Sequence, residues 1–185
     1  MTSLLRCKVC GFIIKEGKLG DRCPACGVPR TAFEPYDDKI TEKRRKMLDL
    51  DIHPVVVHFP QAFSVFILFL TVFTLIFPDF LRAEILCSIP ILALFLPLVT
   101  AAAICSGAFD GKTRFKKLNT PHLIKKITFG MIFLILSIPL AILSFFFITS
   151  EIGLILVLIF SLGCVVCGLM LGLIGKTLTN AKVPN

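Results

Sequence analysis

The stretch "ITFGMIFLILSIPLAILSFFFI", residues 127–148, contains no charged residue over its whole length. A helix crossing the hydrocarbon core of a bilayer needs about 20 consecutive apolar residues, and this run supplies them. Three more runs of the same kind flank it: Val55–Phe77, Ile85–Ala108 and Ile152–Ile174. The chain of 185 residues is 56% hydrophobic and only 17% charged, with a mean hydropathy of +0.88. Nearly all charges fall between the runs or before the first. The fold class that follows is a mainly α membrane protein, a four-helix transmembrane bundle with a small polar N-terminal head. The first fifty residues lack the apolar h-region of a secretory leader, so no cleaved signal peptide is expected.

Charge placement orients the expected bundle. Four spans put the head, the loop around residues 109–126 and the C-terminal tail on one side. That side holds eleven Lys and Arg in residues 1–52, six in the loop, and Lys176 and Lys182, whereas Arg82 stands alone opposite. Lys and Arg accumulate on the cytoplasmic side during insertion. Both chain ends are therefore expected in the cytoplasm, and the location expected is the inner, cytoplasmic membrane, crossed several times. The net charge of +8 then reads as a topology signal with some attraction to anionic membrane lipids. No nucleic-acid recognition motif accompanies it, so nucleic acid is excluded as a partner.

The head reads "CKVCGFIIKEGKLGDRCPACG" over residues 7–27, two Cys-x-x-C pairs twelve residues apart. Such pairs set thiolates on two tight turns that close a tetrahedral site around iron or zinc. Glycines after Cys10 and Cys26 allow backbone amides to face the sulfurs, and Pro24 stiffens the second turn. In the reducing cytoplasm, metal binding outranks disulfide formation. Cys7, Cys10, Cys23 and Cys26 are the candidate metal ligands.

"CKVCGF", "CPACG" and the following "RTAFE" resemble the rubredoxin-like iron domain at the C-terminus of rubrerythrins, over roughly residues 4–35. The resemblance implies a β-rich, rubredoxin-like or zinc-ribbon-like head in which the four cysteines hold one iron, with Phe12 and Phe33 packed around it. The short spacer and the "LLR" before the first turn also suit a zinc ribbon, so iron and zinc both stay open. The chain has no Glu-x-x-His pair for the di-iron bundle of rubrerythrins.

The three histidines sit at the cytoplasmic ends of the expected spans. "HPVVVHFP", residues 53–60, places His53 and His58 at the start of span one, and His122 opens span three. On a continuous helix His53 and His58 stand about 140° apart. One of them with His122 is the easier pair, and His58 is the deeper of the two. The readings open at this point are a b-type haem, a non-haem metal site that also uses Asp110, a quinone site, and structural use in helix capping or interfacial hydrogen bonding. "TAAAICSGAFDG", residues 100–111, offers a small-residue face that lets a backbone or a flat ligand approach. "HPVVVHFP" with "GAFDGKTRF" also resembles a family of small four-helix membrane proteins without a settled activity, over residues 53–176. That resemblance implies four spans and makes His53, His58 and Asp110–Gly111 shared features.

The domain reading is residues 1–36 as the metal head and 37–52 as a basic tether with a helix over Lys39–Leu50. Residues 53–176 form the four-span domain and 177–185 the tail. The expected function is membrane-anchored electron transfer from a cytoplasmic redox protein or reductase, through the head, to haem, quinone or a membrane partner. The alternative is a zinc-ribbon interaction module anchored by four spans. No Asp, Glu, Lys or Arg lies mid-span, which argues against an ion pathway. With no nucleophile–base pair or nucleotide fingerprint, an electron carrier is expected rather than a catalyst.

Overall fold

The computed structural model describes residues 4–37, 52–115 and 121–179, together with Met47 and Leu50. The tether helix expected over Lys39–Leu50 lies outside the described residues except at Met47 and Leu50. The chain divides into two compact units, one ending at Lys46 and the other beginning at Met47.

The head is a three-stranded antiparallel sheet in which β1 (Leu4–Cys7) lies between β2 (Ile13–Lys15) and β3 (Phe33–Tyr36). Leu5 stands opposite Ile14 on one side and Pro35 on the other, and Cys7 opposite Phe33. Pro35 has no amide to give, which suits its place on an edge strand. So short a sheet encloses almost no core. Among the described residues, only Cys7, Leu19 and Cys23 are buried hydrophobic residues there, so the head depends on its cysteine site for stability.

The second unit contains the four apolar helices long enough to cross a membrane. They are α2 (His58–Ile76, preceded by the short α1, Ile52–Val56), α3 (Arg82–Phe115), α4 (Pro121–Phe146) and α5 (Glu151–Thr179). Principal packing runs from α2 to α3, α3 to α4, α4 to α5 and α5 back to α2, which closes an up-down-up-down ring. Ile67, Ile89, Leu96, Phe133, Leu140 and Leu154 meet at its centre.

Among the described residues, seven buried Ser and Thr join them, and each donates its hydroxyl to its own helix. Thr71 bonds Ile67 O at 2.7 Å, Thr100 bonds Leu96 O at 2.7 Å and Ser137 bonds Leu134 O at 2.8 Å. With its proton satisfied locally, such a side chain packs as a small residue and lets helices approach. The outer surface is the reverse of a soluble protein's. Phe66 is 58% exposed, Ile135 61% and Leu169 63%, a continuous apolar coat that is stable against lipid and not against water. Cys164 and Cys167 are buried in the bundle, where cysteine behaves as a small hydrophobe.

Span one resolves into two pieces. Pro60 lacks an amide to bond the Val56 carbonyl, and its ring crowds that carbonyl. The helix accordingly breaks at Val57, leaving α1 as one turn that packs on α3 and α2. By contrast, α3 passes through Pro90 and Pro97, and α4 through Pro139, each as a single helix.

Candidate metal centre and membrane cavity

The two Cys-x-x-C segments fold into near-identical knuckles. In the first, the Cys7 amide donates to Phe12 O at 2.8 Å and the Gly11 amide to Cys7 O at 2.9 Å. In the second, the Cys23 amide donates to Val28 O at 2.8 Å and the Gly27 amide to Cys23 O at 2.9 Å. Each knuckle closes on a left-handed glycine, Gly11 at φ 77° and Gly27 at φ 75°, a conformation that a side chain would strain. Cys7 and Cys23 are buried, while Cys10 and Cys26 are exposed.

All four sulfurs lie within 4.8 Å of one another. Across the knuckles, Cys7 and Cys26 are 3.8 Å apart and Cys10 and Cys23 3.7 Å. A tetrahedral ion with metal–sulfur bonds of about 2.3 Å requires sulfur–sulfur edges of about 3.8 Å. The donor set therefore fits a single tetrathiolate ion, and iron and zinc fit it alike. No pair is a disulfide.

The backbone is arranged for negative charge at this point. The Cys10 amide, opposed by burial and helped by the Val9 amide, lowers the Cys7 thiol from its ordinary 9.0 to about 7. Burial works against the Cys23 thiolate, but the Cys26 and Ala25 amides outweigh it and lower that thiol too. The Val28 amide favours the Cys26 thiolate, yet burial and the sulfurs of Cys10, Cys23 and Cys7 push it up to about 12. Four thiolates this close repel one another, and a cation at their centre removes that repulsion.

In the bundle, a cavity of about 390 Å³ opens at the end shared by α1, the start of α2 and the start of α4. His53, His58 and Asp110 all line it, and His122 does not. The first two differ in burial. The break at Val57 turns His53 inward to 9% exposure, while His58 is exposed at the cavity wall.

Both ring nitrogens of His53 have partners, Ser106 Oγ at 3.2 Å from Nδ1 and Lys126 Nζ at 2.9 Å from Nε2. An ammonium can only donate, so Nε2 accepts and the ring proton sits on Nδ1, facing Ser106. Ser106 in turn donates to Ala103 O at 3.0 Å. The His53 ring lies against Gly107, where a Cβ would come within 2.8 Å of Cε1. The flat group admitted by the small-residue face of α3 is thus this protein's own imidazole.

The expectation of a b-type haem held by His58 and His122 finds no support, because His122 is exposed and lies outside the cavity lining. His53 cannot replace it without giving up a hydrogen bond. Two further polar residues of the cavity, Lys126 and Gln61, escaped the sequence reading. Lys126 follows the buried Leu123 by three residues and precedes the buried Gly130 by four. That spacing is the inner face of α4. Gln61 reaches Gly168 O at 3.4 Å. Gly168 packs against Gln61 and Phe133, as a tight helix contact requires, but Gly172 meets nothing within 4 Å.

Compared with known proteins, residues 6–34 match the family described as rubrerythrin, rubredoxin-like domain. No curated protein and no solved structure matches the chain. The N-terminal head is a rubrerythrin-type rubredoxin-like domain with a four-cysteine metal site, and four long apolar helices follow it.

Proposed function

We propose that the protein is a membrane-bound electron carrier whose head exchanges single electrons with a soluble reductase on the cytoplasmic side and with an acceptor in the membrane. The observation that carries this reading is the cluster of four sulfurs, all within 4.8 Å of one another in a rubredoxin-like domain, joined to four membrane-type helices. Iron bound by four thiolates supplies one-electron transfer between its ferric and ferrous states and offers no open position to a substrate. The chain contributes the amides that face Cys7 and Cys23, which favour the charged sulfurs. It also contributes exposed cysteines, Cys10 and Cys26, on the side through which electrons reach a docked protein. The distribution of Lys and Arg supports a cytoplasmic head. Tethering the head to the bilayer raises its effective concentration at a membrane acceptor.

The test is metal analysis of the full-length protein, purified in mild detergent, alongside its visible spectrum before and after dithionite. Expected are one iron per chain and thiolate-to-iron bands that bleach on reduction and return in air. A colourless protein containing only zinc would overturn the reading and favour an anchored zinc ribbon that docks a partner.

A further inference from the structure

We infer that the 390 Å³ cavity in the bundle binds the ring of a membrane quinone: a flat, uncharged group with carbonyl oxygens, carried on an apolar tail. This names the membrane acceptor of the electron-carrier reading and rests on that reading for its purpose. Binding itself is measured without electrons.

The first support is the chemistry of the wall. Pro54, Val57, Ile104, Leu123, Ile127 and Phe133 give it an apolar body, and Lys126, Gln61 and His58 add groups able to donate hydrogen bonds. A predominantly apolar cavity with a few convergent polar groups is the form of a small-molecule site.

The second support is charge. Lys126 and Asp110 both line the cavity, so its formal charge is balanced among the described lining residues. The His53 tautomer set by Lys126 adds none. Such a lining suits a neutral carbonyl compound better than a phosphate, which would meet the Asp110 carboxylate.

The third support is bare wall that packing does not explain. Gly172 and Gly175 line the cavity, and a Cβ at either would meet nothing within 4 Å. A glycine inside a helix costs about 1 kcal/mol relative to alanine. Helix contact gives no return for that cost at these two positions, whereas a flat ring lying against α5 does.

The fourth is depth. The 26 residues of α4 span about 39 Å, and Lys126 lies about 8 Å from the N-terminal end. With a hydrocarbon core of about 30 Å, that places the polar part of the cavity at the boundary between head groups and hydrocarbon. A quinone ring with its tail in the bilayer reaches this level.

The test uses the full-length protein in nanodiscs of quinone-free phosphatidylcholine, titrated separately with decyl-ubiquinone and a short-tailed menaquinone analogue. Saturable binding of either at one site per chain is expected. Gly172→Leu and, separately, Gly175→Leu should weaken it by at least about tenfold, as filling of an apolar pocket does. Helical content and head metal should not change. Absence of saturable binding for both quinones would overturn the inference, as would binding indifferent to both substitutions. An anionic phospholipid retained through delipidation and lost in Gly172→Leu would also overturn it, by making the cavity a lipid site. Quinone binding by a protein whose iron cannot be reduced would sustain this inference and defeat only the electron-transfer reading. A reversible iron centre without quinone binding would do the opposite.

Discussion

The head and the bundle build their polar sites in opposite ways. In the head, all four sulfurs come from a segment of 20 residues, and each pair is placed by one local turn whose hydrogen bonds stay within six residues. In the bundle, the polar groups around the cavity come from α1, α2, α3 and α4, and His53 meets Ser106 and Lys126 across 53 and 73 residues. The head's site is therefore a property of its motif, and its sheet gains most of its stability from that site. The bundle's site is a property of helix packing, and the packing stands without it. A substitution at the centre of the head should destroy the unit, whereas one at the cavity should loosen a unit that persists.

The largest effect expected is in the head. Cys23→Ser removes one of four thiolates from a unit with almost no other core, and structural tetrathiolate binding supplies on the order of 10 kcal/mol of folding free energy. Metal content of the purified chain should fall close to zero and the head's amides should lose protection from hydrogen exchange. Protection in the four helices should hold. Simultaneous melting of the bundle would break the contrast between the units.

Acid should act on the same unit. Metal binding ionises thiols, and Cys26 without metal titrates near 12, so at least its proton leaves when metal binds. Protons thus compete with metal, and affinity should drop by about tenfold per pH unit for each proton released. Metal competition assays between pH 8 and pH 6 should show weaker binding at the lower pH. Affinity independent of pH would contradict four-thiolate ligation.

In the bundle the effects should be smaller. Gly107→Leu drives a side chain into the His53 ring, which already lies within 2.8 Å of the position of a Cβ. Overpacking of this kind costs about 1–3 kcal/mol, so the detergent-solubilised protein should melt several degrees lower while keeping its head metal. Smaller still, Gln61→Leu loses a long hydrogen bond of 3.4 Å to Gly168 O, worth at most about 1 kcal/mol. Its melting temperature should barely move. A larger drop than for Gly107→Leu would reverse the order of the two contacts.

The same contrast explains what could be read from the sequence. The head was legible because its chemistry is local: spacing gave the ligands, and the glycines after Cys10 and Cys26 gave the turns. The four spans were legible because hydrocarbon imposes length and apolarity on each helix separately. The cavity was legible only in part. Pro60 breaks a helix by its own chemistry, but which histidine the break turns inward depends on where the helix resumes, and it is His53 that is buried. Lys126 is not legible as a cavity residue, because its role is set by the rotation of α4 about its axis. The buried positions Leu123, Gly130 and Phe133 fix that rotation, and they become identifiable only once the helices are packed.

The central claim is that the four-cysteine head is a one-electron redox centre. Potentiometric titration of the visible bands of the full-length protein tests it most directly. The account predicts a reversible curve with a one-electron slope, about 59 mV per tenfold change in the oxidised-to-reduced ratio, and one electron per chain. A protein without thiolate-to-iron bands, or one whose bands do not respond to potential, would contradict it.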